Sequence, residues 1–130
     1  MSEVSLITNG FRVSVDTHYR NESSDPTQNY FLFSYHISIQ NNTAYNCKLL
    51  RRYWFITEST GEIREVEGTG VVGEQPFLAP GASFDYSSSC HFNTEIGKMV
   101  GHFLMINLET GNTFIVDVPE FQMTAPARLN

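Results

Sequence analysis

The chain is short of positive charge, of cysteine and of long apolar runs. It carries 8 Lys and Arg against 14 Asp and Glu, a formal net charge of −6 over 130 residues. Nucleic acid and anionic membranes are bound through basic faces, so neither is expected as a partner. The basic pair Arg51-Arg52 is no patch, because adjacent strand residues point to opposite faces. The two cysteines, Cys47 and Cys90, are isolated from each other and lack the close Cys/His spacing of a zinc site. They are expected to be free thiols in a reducing compartment. No segment reaches the roughly 18 consecutive apolar residues of a membrane span. Met1–Gly10 has neither a basic n-region nor an apolar run, so no secretory signal is expected. These shortages point to a soluble, cytoplasmic protein with no cofactor.

Helical periodicity is also lacking. The one candidate, Asn93–Gly97, amounts to a single turn. Period-two alternation dominates instead. Phe31, Phe33, Tyr35, Ile37 and Ile39 alternate with Leu32, Ser34, His36, Ser38 and Gln40, which predicts a half-buried antiparallel strand with the odd positions inward. Phe11, Val13, Val15 and Thr17 form an earlier strand. Leu49–Thr57 forms another, with Tyr53 and Phe55 on one face and Trp54 and Ile56 on the other. A turn at 58–61 leads into Glu62–Glu67 as a hairpin. Ser83–Ser87 is a short strand, Lys98–Leu108 an apolar central one, and Thr113–Val118 follows the turn at 109–112. Seven or eight short strands predict one all-β domain. Its expected form is an antiparallel β-sandwich of immunoglobulin-like or fibronectin type III-like kind. Asp25–Gln28 reads as an exposed loop, and residues 1–4 and 124–130 as flexible ends.

Gly68-Thr69-Gly70-Val71-Val72-Gly73 matches Gly-x-Gly-x-x-Gly, a dinucleotide fingerprint that works only between a strand and a helix N-terminus. Pro76, Pro80 and Gly81 follow too closely for a helix to start. NAD and ATP are therefore expected to bind no tighter than about millimolar. The glycines read more simply as a turn-rich crossover between strands, with a backbone nest for an anion as the functional alternative. Glu62, Glu65, Glu67, Glu74 and Asp85 crowd this stretch and oppose an anion, while Arg52 and Arg64 offset some of that charge.

Other chemistry is sparse. Glu65, Glu67, Glu74 and Asp85 are hard ligands without the spacing of a calcium loop. His36 and His102 fall within strands and would make a soft-metal site only if those strands were neighbours. Ser87-Ser88-Ser89-Cys90-His91 holds nucleophile and base types, but contiguous residues on an extended segment diverge, so no triad forms. Among the aromatics, Arg52 beside Trp54 at i and i+2 is the best candidate for a binding surface.

The chain resembles the ApaG family over nearly its whole length. The resemblance rests on Arg52-Tyr53-Trp54-Phe55-Ile56-Thr57, on Glu65–Pro76 with its Gly-Val-Val-Gly-x-Gln-Pro core, and on Leu78-Ala79-Pro80-Gly81. Phe84–Ser88 and Gly97–Gly101 extend it. Ser89, Glu95 and Phe103 stand where the family usually shows Gly, Pro and Tyr. The resemblance implies a fibronectin-type sandwich. It links bacterial members to diadenosine tetraphosphate metabolism and to cobalt and magnesium efflux, and eukaryotic ones to protein-binding modules. The expectation is a non-enzymatic interaction or regulatory module, monomeric or weakly dimeric, with an unidentified protein partner. Its candidate binding residues are Arg52, Trp54, Gly68, Gly70, Gly73, Glu74 and Gln75, with no catalytic or metal-binding residue. The alternatives are a binder of a phosphorylated or nucleotide-like molecule at Gly68–Pro76, or a protein linked to cation efflux.

Overall fold

A computed structural model describes residues 3–126. Among the described residues nine strands follow one another: β1 Glu3–Thr8, β2 Phe11–Tyr19, β3 Phe31–Asn41, β4 Cys47–Glu58, β5 Ile63–Thr69, β6 Phe77–Leu78, β7 Ser83–Phe92, β8 Ile96–Asn107 and β9 Thr113–Thr124. They form two antiparallel sheets, one ordered β1-β2-β3-β7 and the other β5-β4-β8-β9, with β6 paired to β4. The fold is an all-β sandwich.

Side-chain parity builds the core. Phe11, Val13 and Val15 of β2 and Phe31, Phe33, Tyr35, Ile37 and Ile39 of β3 are buried on the inner face of the first sheet. They meet Trp54, Ile56, Met99, Phe103, Met105, Val116 and Phe121 of the second. β8 lies between β4 and β9, the central place its apolar run predicts.

Two β-bulges shift that parity. On β4, Leu49 faces Met105 but Arg51 faces Leu104, so one extra residue enters β4. Inward positions thereby pass from Cys47 and Leu49 to Trp54 and Ile56. On β9, Phe121 faces Met99 while Val118 faces Gly101, again one residue too many. Pro119 sits in that bulge, where its missing N–H leaves no ladder bond unmade. The β4 bulge has functional weight, because it turns Arg52 onto the inward row of Trp54.

Five segments differ from the sequence reading. Glu3 and Val4 are not loose ends but pair with Asp16 and Val15. β9 runs on to Thr124, and β7 runs on through the serines to Phe92. In both cases cross-strand pairing carries polar residues that alternation alone does not claim. Asp25–Gln28 holds a short 3-10 turn at Pro26–Gln28, and a second one spans Asn21–Ser23. Asn93–Gly97 is no helical turn: 93–95 form a bend, and Ile96 and Gly97 already belong to β8. The remaining terminal positions, 1–2 and 127–130, lie outside the described residues.

Candidate functional site

The glycine-rich stretch leaves β5 and folds back as a tight hairpin. Val71 and Glu74 exchange backbone bonds of 2.8 and 2.9 Å, and the Gly70 N–H donates to the Leu50 carbonyl at 2.8 Å. Val72 has φ +41° and Gly73 has φ +82°, the two successive positive angles of a type I′ turn. Val72 is β-branched and exposed in a backbone region that such residues avoid. Gly70 has φ +63°, and a Cβ there would stand 2.0 Å from the Glu74 carbonyl oxygen. The N–H groups of Val71 and Glu74 are thus consumed within the turn, and that of Gly70 on β4. Gln75 ties the return strand down, its Nε2 donating to the Leu50 carbonyl at 3.2 Å. Glu74 and Gln75 are exposed. This geometry supports the crossover reading of the loop over the anion nest.

Gly68 does something different. The Arg52 guanidinium lies across it, so close that a Cβ would meet Nη2 at 2.8 Å. Nη1 of Arg52 donates to the Thr69 and Gly70 carbonyls at 3.1 and 3.0 Å. Arg52 therefore braces the entry to the hairpin. Trp54, two residues on, is only 4% exposed and packs edge-on against Tyr35, Phe103 and Phe121. It is a core residue, which corrects the expectation that Arg52 and Trp54 form an exposed pair: bulge and parity together turn that row inward.

Between the outer edges of the two sheets, β7 and β5, lies a cleft of about 460 Å³. Arg52 and Trp54 of β4, Arg64 of β5, and Tyr86, Ser88 and Cys90 of β7 line it. Nη2 of Arg64 reaches across to the His91 carbonyl at 2.8 Å. Neither arginine makes an ion pair among the described residues. Burial pushes the Tyr86 phenol far up, reinforced by Tyr35 and only partly offset by Arg52. Burial also raises Tyr35, against a hydrogen bond with Ser88.

The remaining candidates separate. Glu65 and Glu67 pair with Phe55 and Tyr53 on the outer face of the second sheet. Asp85 lies on the outer face of the first, 3.8 Å from His36. His36 belongs to that same first-sheet face, while His102 stacks on Tyr53 at 4.8 Å on the second. The two histidines are therefore not on neighbouring strands. Among the described residues no group of three or more His, Cys, Asp or Glu could hold a metal ion. The serine run diverges as extended geometry requires, with Ser88 and Cys90 facing the cleft and Ser87 beside His36 at 3.1 Å.

Cys47 and Cys90 are free thiols, the first buried. Burial raises both from the ordinary value of 9.0, at Cys90 against the pull of Arg64. A raised acid stays protonated in the folded chain where the unfolded chain ionises. Its contribution to stability is whole below pH 9 and is lost as pH rises through the folded values. The expected result is slow labelling of the native protein by a thiol reagent at pH 7. Denaturant midpoints should decline above about pH 9. A Cys47→Ser, Cys90→Ser double variant that keeps the same alkaline decline would show that the thiols do not cause it.

The two outer faces differ in kind. That of the first sheet carries Arg12, Ser14, Asp16, Ser34, His36, Ser38 and Asp85, with Ile7 and Leu32 as scattered apolar positions. That of the second carries Phe55 opposite Val100, Tyr53 opposite His102, and Leu104 opposite Ile115. Phe55, Val100 and Ile115 are 38%, 40% and 39% exposed.

Known proteins give the context. The sequence profile of the ApaG domain matches residues 21–107. Protein ApaG of Brucella suis is 42% identical over 122 residues, covering 94% of this chain and 93% of its own. Protein ApaG of Acidithiobacillus ferrooxidans is 44% identical over 114 residues, covering 88% and 89%. A crystal structure of an ApaA protein from Bordetella pertussis superposes with a TM-score of 0.85 at 37% identity, covering 95% of this chain and 97% of that one. The C-terminal domain of wzt shares the fold alone, with a TM-score of 0.55 at 9% identity.

Proposed function

This chain belongs to the ApaG domain family, and from that premise we propose that it is a non-catalytic protein-recognition module that docks its partner on the outer face of the β5-β4-β8-β9 sheet. The contrast between the two outer faces carries the reading. A solvent-facing antiparallel sheet is expected to be polar, as the first sheet is. The second presents three cross-strand pairs of aromatic, histidine and aliphatic side chains around the Tyr53–His102 stack. Contiguous exposed apolar surface of this kind marks interaction sites, and aromatic residues dominate their energetics. Glu65, Glu67, Asp117 and Glu120 outnumber Lys48, Arg51 and Lys98 around the band, Lys98 being paired with Glu120 at 3.8 Å. The partner surface it fits is therefore apolar at the centre and basic at the rim.

Phe55→Glu with Val100→Glu places two charges in the centre of that face without touching the core. Affinity for the partner should fall by at least about 2 kcal/mol, roughly thirtyfold, with a modestly lower melting temperature, because the two new carboxylates stand opposite each other and beside Glu65. Ser14→Glu, on the opposite face, serves as the control. Quantitative affinity capture from the native cell extract should lose the same proteins with the double variant and keep them with Ser14→Glu. Equal capture by all three forms would overturn the docking face.

A further inference from the structure

Two polar atoms in the cleft have no partner: the Tyr86 hydroxyl and Arg64 Nε are both buried without a hydrogen bond among the described residues. Tyr86 is only 7% exposed. Buried donors left unsatisfied are unfavourable by their full desolvation, and native proteins keep few of them. Here both belong to residues lining one cavity, with the Arg52 guanidinium on its wall. Burial holds the Tyr86 proton in place through neutral pH, so the hydroxyl is available there as a donor.

The nearby acid does not quench this charge. Glu58 lies on the same inward row of β4, beyond Ile56, and its Oε1 accepts the Asn93 N–H. The outward Glu65 and Glu67 stand on the other side of the sheet. Two guanidiniums without an ion pair among the described residues, which can only donate, and a phenol with a free O–H converge there from β4, β5 and β7. The volume far exceeds that of a small ion, and Trp54, Ile56 and Val71 give the wall an apolar part beside the polar Tyr35, Ser88, Ser89 and His91.

We infer that this cleft is a binding site for a phosphoryl group borne on an apolar or aromatic carrier. The phosphoryl oxygens take Arg52, Arg64 and the Tyr86 hydroxyl, and the carrier lies against Trp54 and Ile56. A tetrahedral dianion accepts from several directions at once, which suits donors on three strands better than a planar carboxylate does. The site is distinct from the outer-face docking surface, and Val71 and Val72 of the glycine hairpin form part of its wall.

The full chain should be titrated with phenyl phosphate, inorganic phosphate and benzoate, following backbone amide shifts by NMR. Phenyl phosphate should saturate with shifts centred on β5 and β7. Inorganic phosphate and benzoate should each bind at least several-fold more weakly, because each lacks one half of the recognition. Tyr86→Phe should weaken phenyl phosphate by roughly tenfold or more, the value of one hydrogen bond to a charged group. Its melting temperature should hold or rise, since it removes an orphaned hydroxyl. Arg64→Gln should weaken binding further and keeps the fold testable where Arg52, which braces the hairpin, does not. No saturable shift at millimolar phenyl phosphate would overturn the site. Benzoate binding as tightly as phenyl phosphate would overturn the phosphoryl assignment. Unchanged affinity in Tyr86→Phe would show that the hydroxyl plays no part.

Discussion

Gly70→Ala should be among the most destabilising single changes in the chain, by about 3 kcal/mol or more, while Gly73→Ala should lose only about 1 kcal/mol. Both glycines have positive φ, +63° and +82°, so backbone strain alone does not separate them. Surroundings do. At Gly70 the new Cβ would meet the Glu74 carbonyl oxygen at 2.0 Å, a backbone atom held by the Val71–Glu74 pair. At Gly73 it would meet nothing within 4 Å. Gly68→Ala is a third case. Its Cβ would displace the Arg52 guanidinium and its two bonds to the hairpin, for about 1–2 kcal/mol. Urea denaturation of the three variants should give the order Gly70 well above Gly68 and Gly73. Equal midpoints for Gly70→Ala and Gly73→Ala would mean that the hairpin is not closed as described.

Trp54→Ala should lose about 3–5 kcal/mol, the range for an aromatic residue removed from a core. Trp54 is packed among Tyr35, Phe103 and Phe121, with ring centroids 6.0, 6.3 and 5.9 Å away. Phe55→Ala, one residue on, should change stability by no more than about 1 kcal/mol, because its ring faces outward. At this chain length each kcal/mol moves the melting temperature by about 4 °C, so thermal melts separate the neighbours easily. A partner docked on the outer face should show the reverse order, losing affinity with Phe55→Ala. If Phe55→Ala destabilised the free chain as much as Trp54→Ala, the outer face would have to be part of a packed core.

Parity explains how much of the molecule could be read from residues alone. The alternation of Phe31 to Ile39 named an inward face correctly, because each side chain's direction follows from its neighbours along one strand. Alternation also separates Tyr53 and Phe55 from Trp54 and Ile56, but it does not say which pair faces inward. Pro76 and Pro80 were enough to deny the Gly-x-Gly-x-x-Gly stretch its helix, and the chain instead enters β6. The inward direction of Arg52 was not legible along β4. The extra residue that turns its row is defined only by the register between β4 and β8.

The all-β class, the inward rows and the turn chemistry of the glycine stretch were determined by the sequence itself, since they depend on local geometry and on period-two patterning. Strand order, the bulges and the cleft were decided by tertiary structure. Arg64 and Tyr86 lie 22 residues apart in sequence. Each sits on an edge strand, on different sheets, and no pattern along either strand says that those edges face each other. Nor could the sequence show that the Tyr86 hydroxyl lacks a partner, because satisfaction of a buried group depends on which distant strands pack over it.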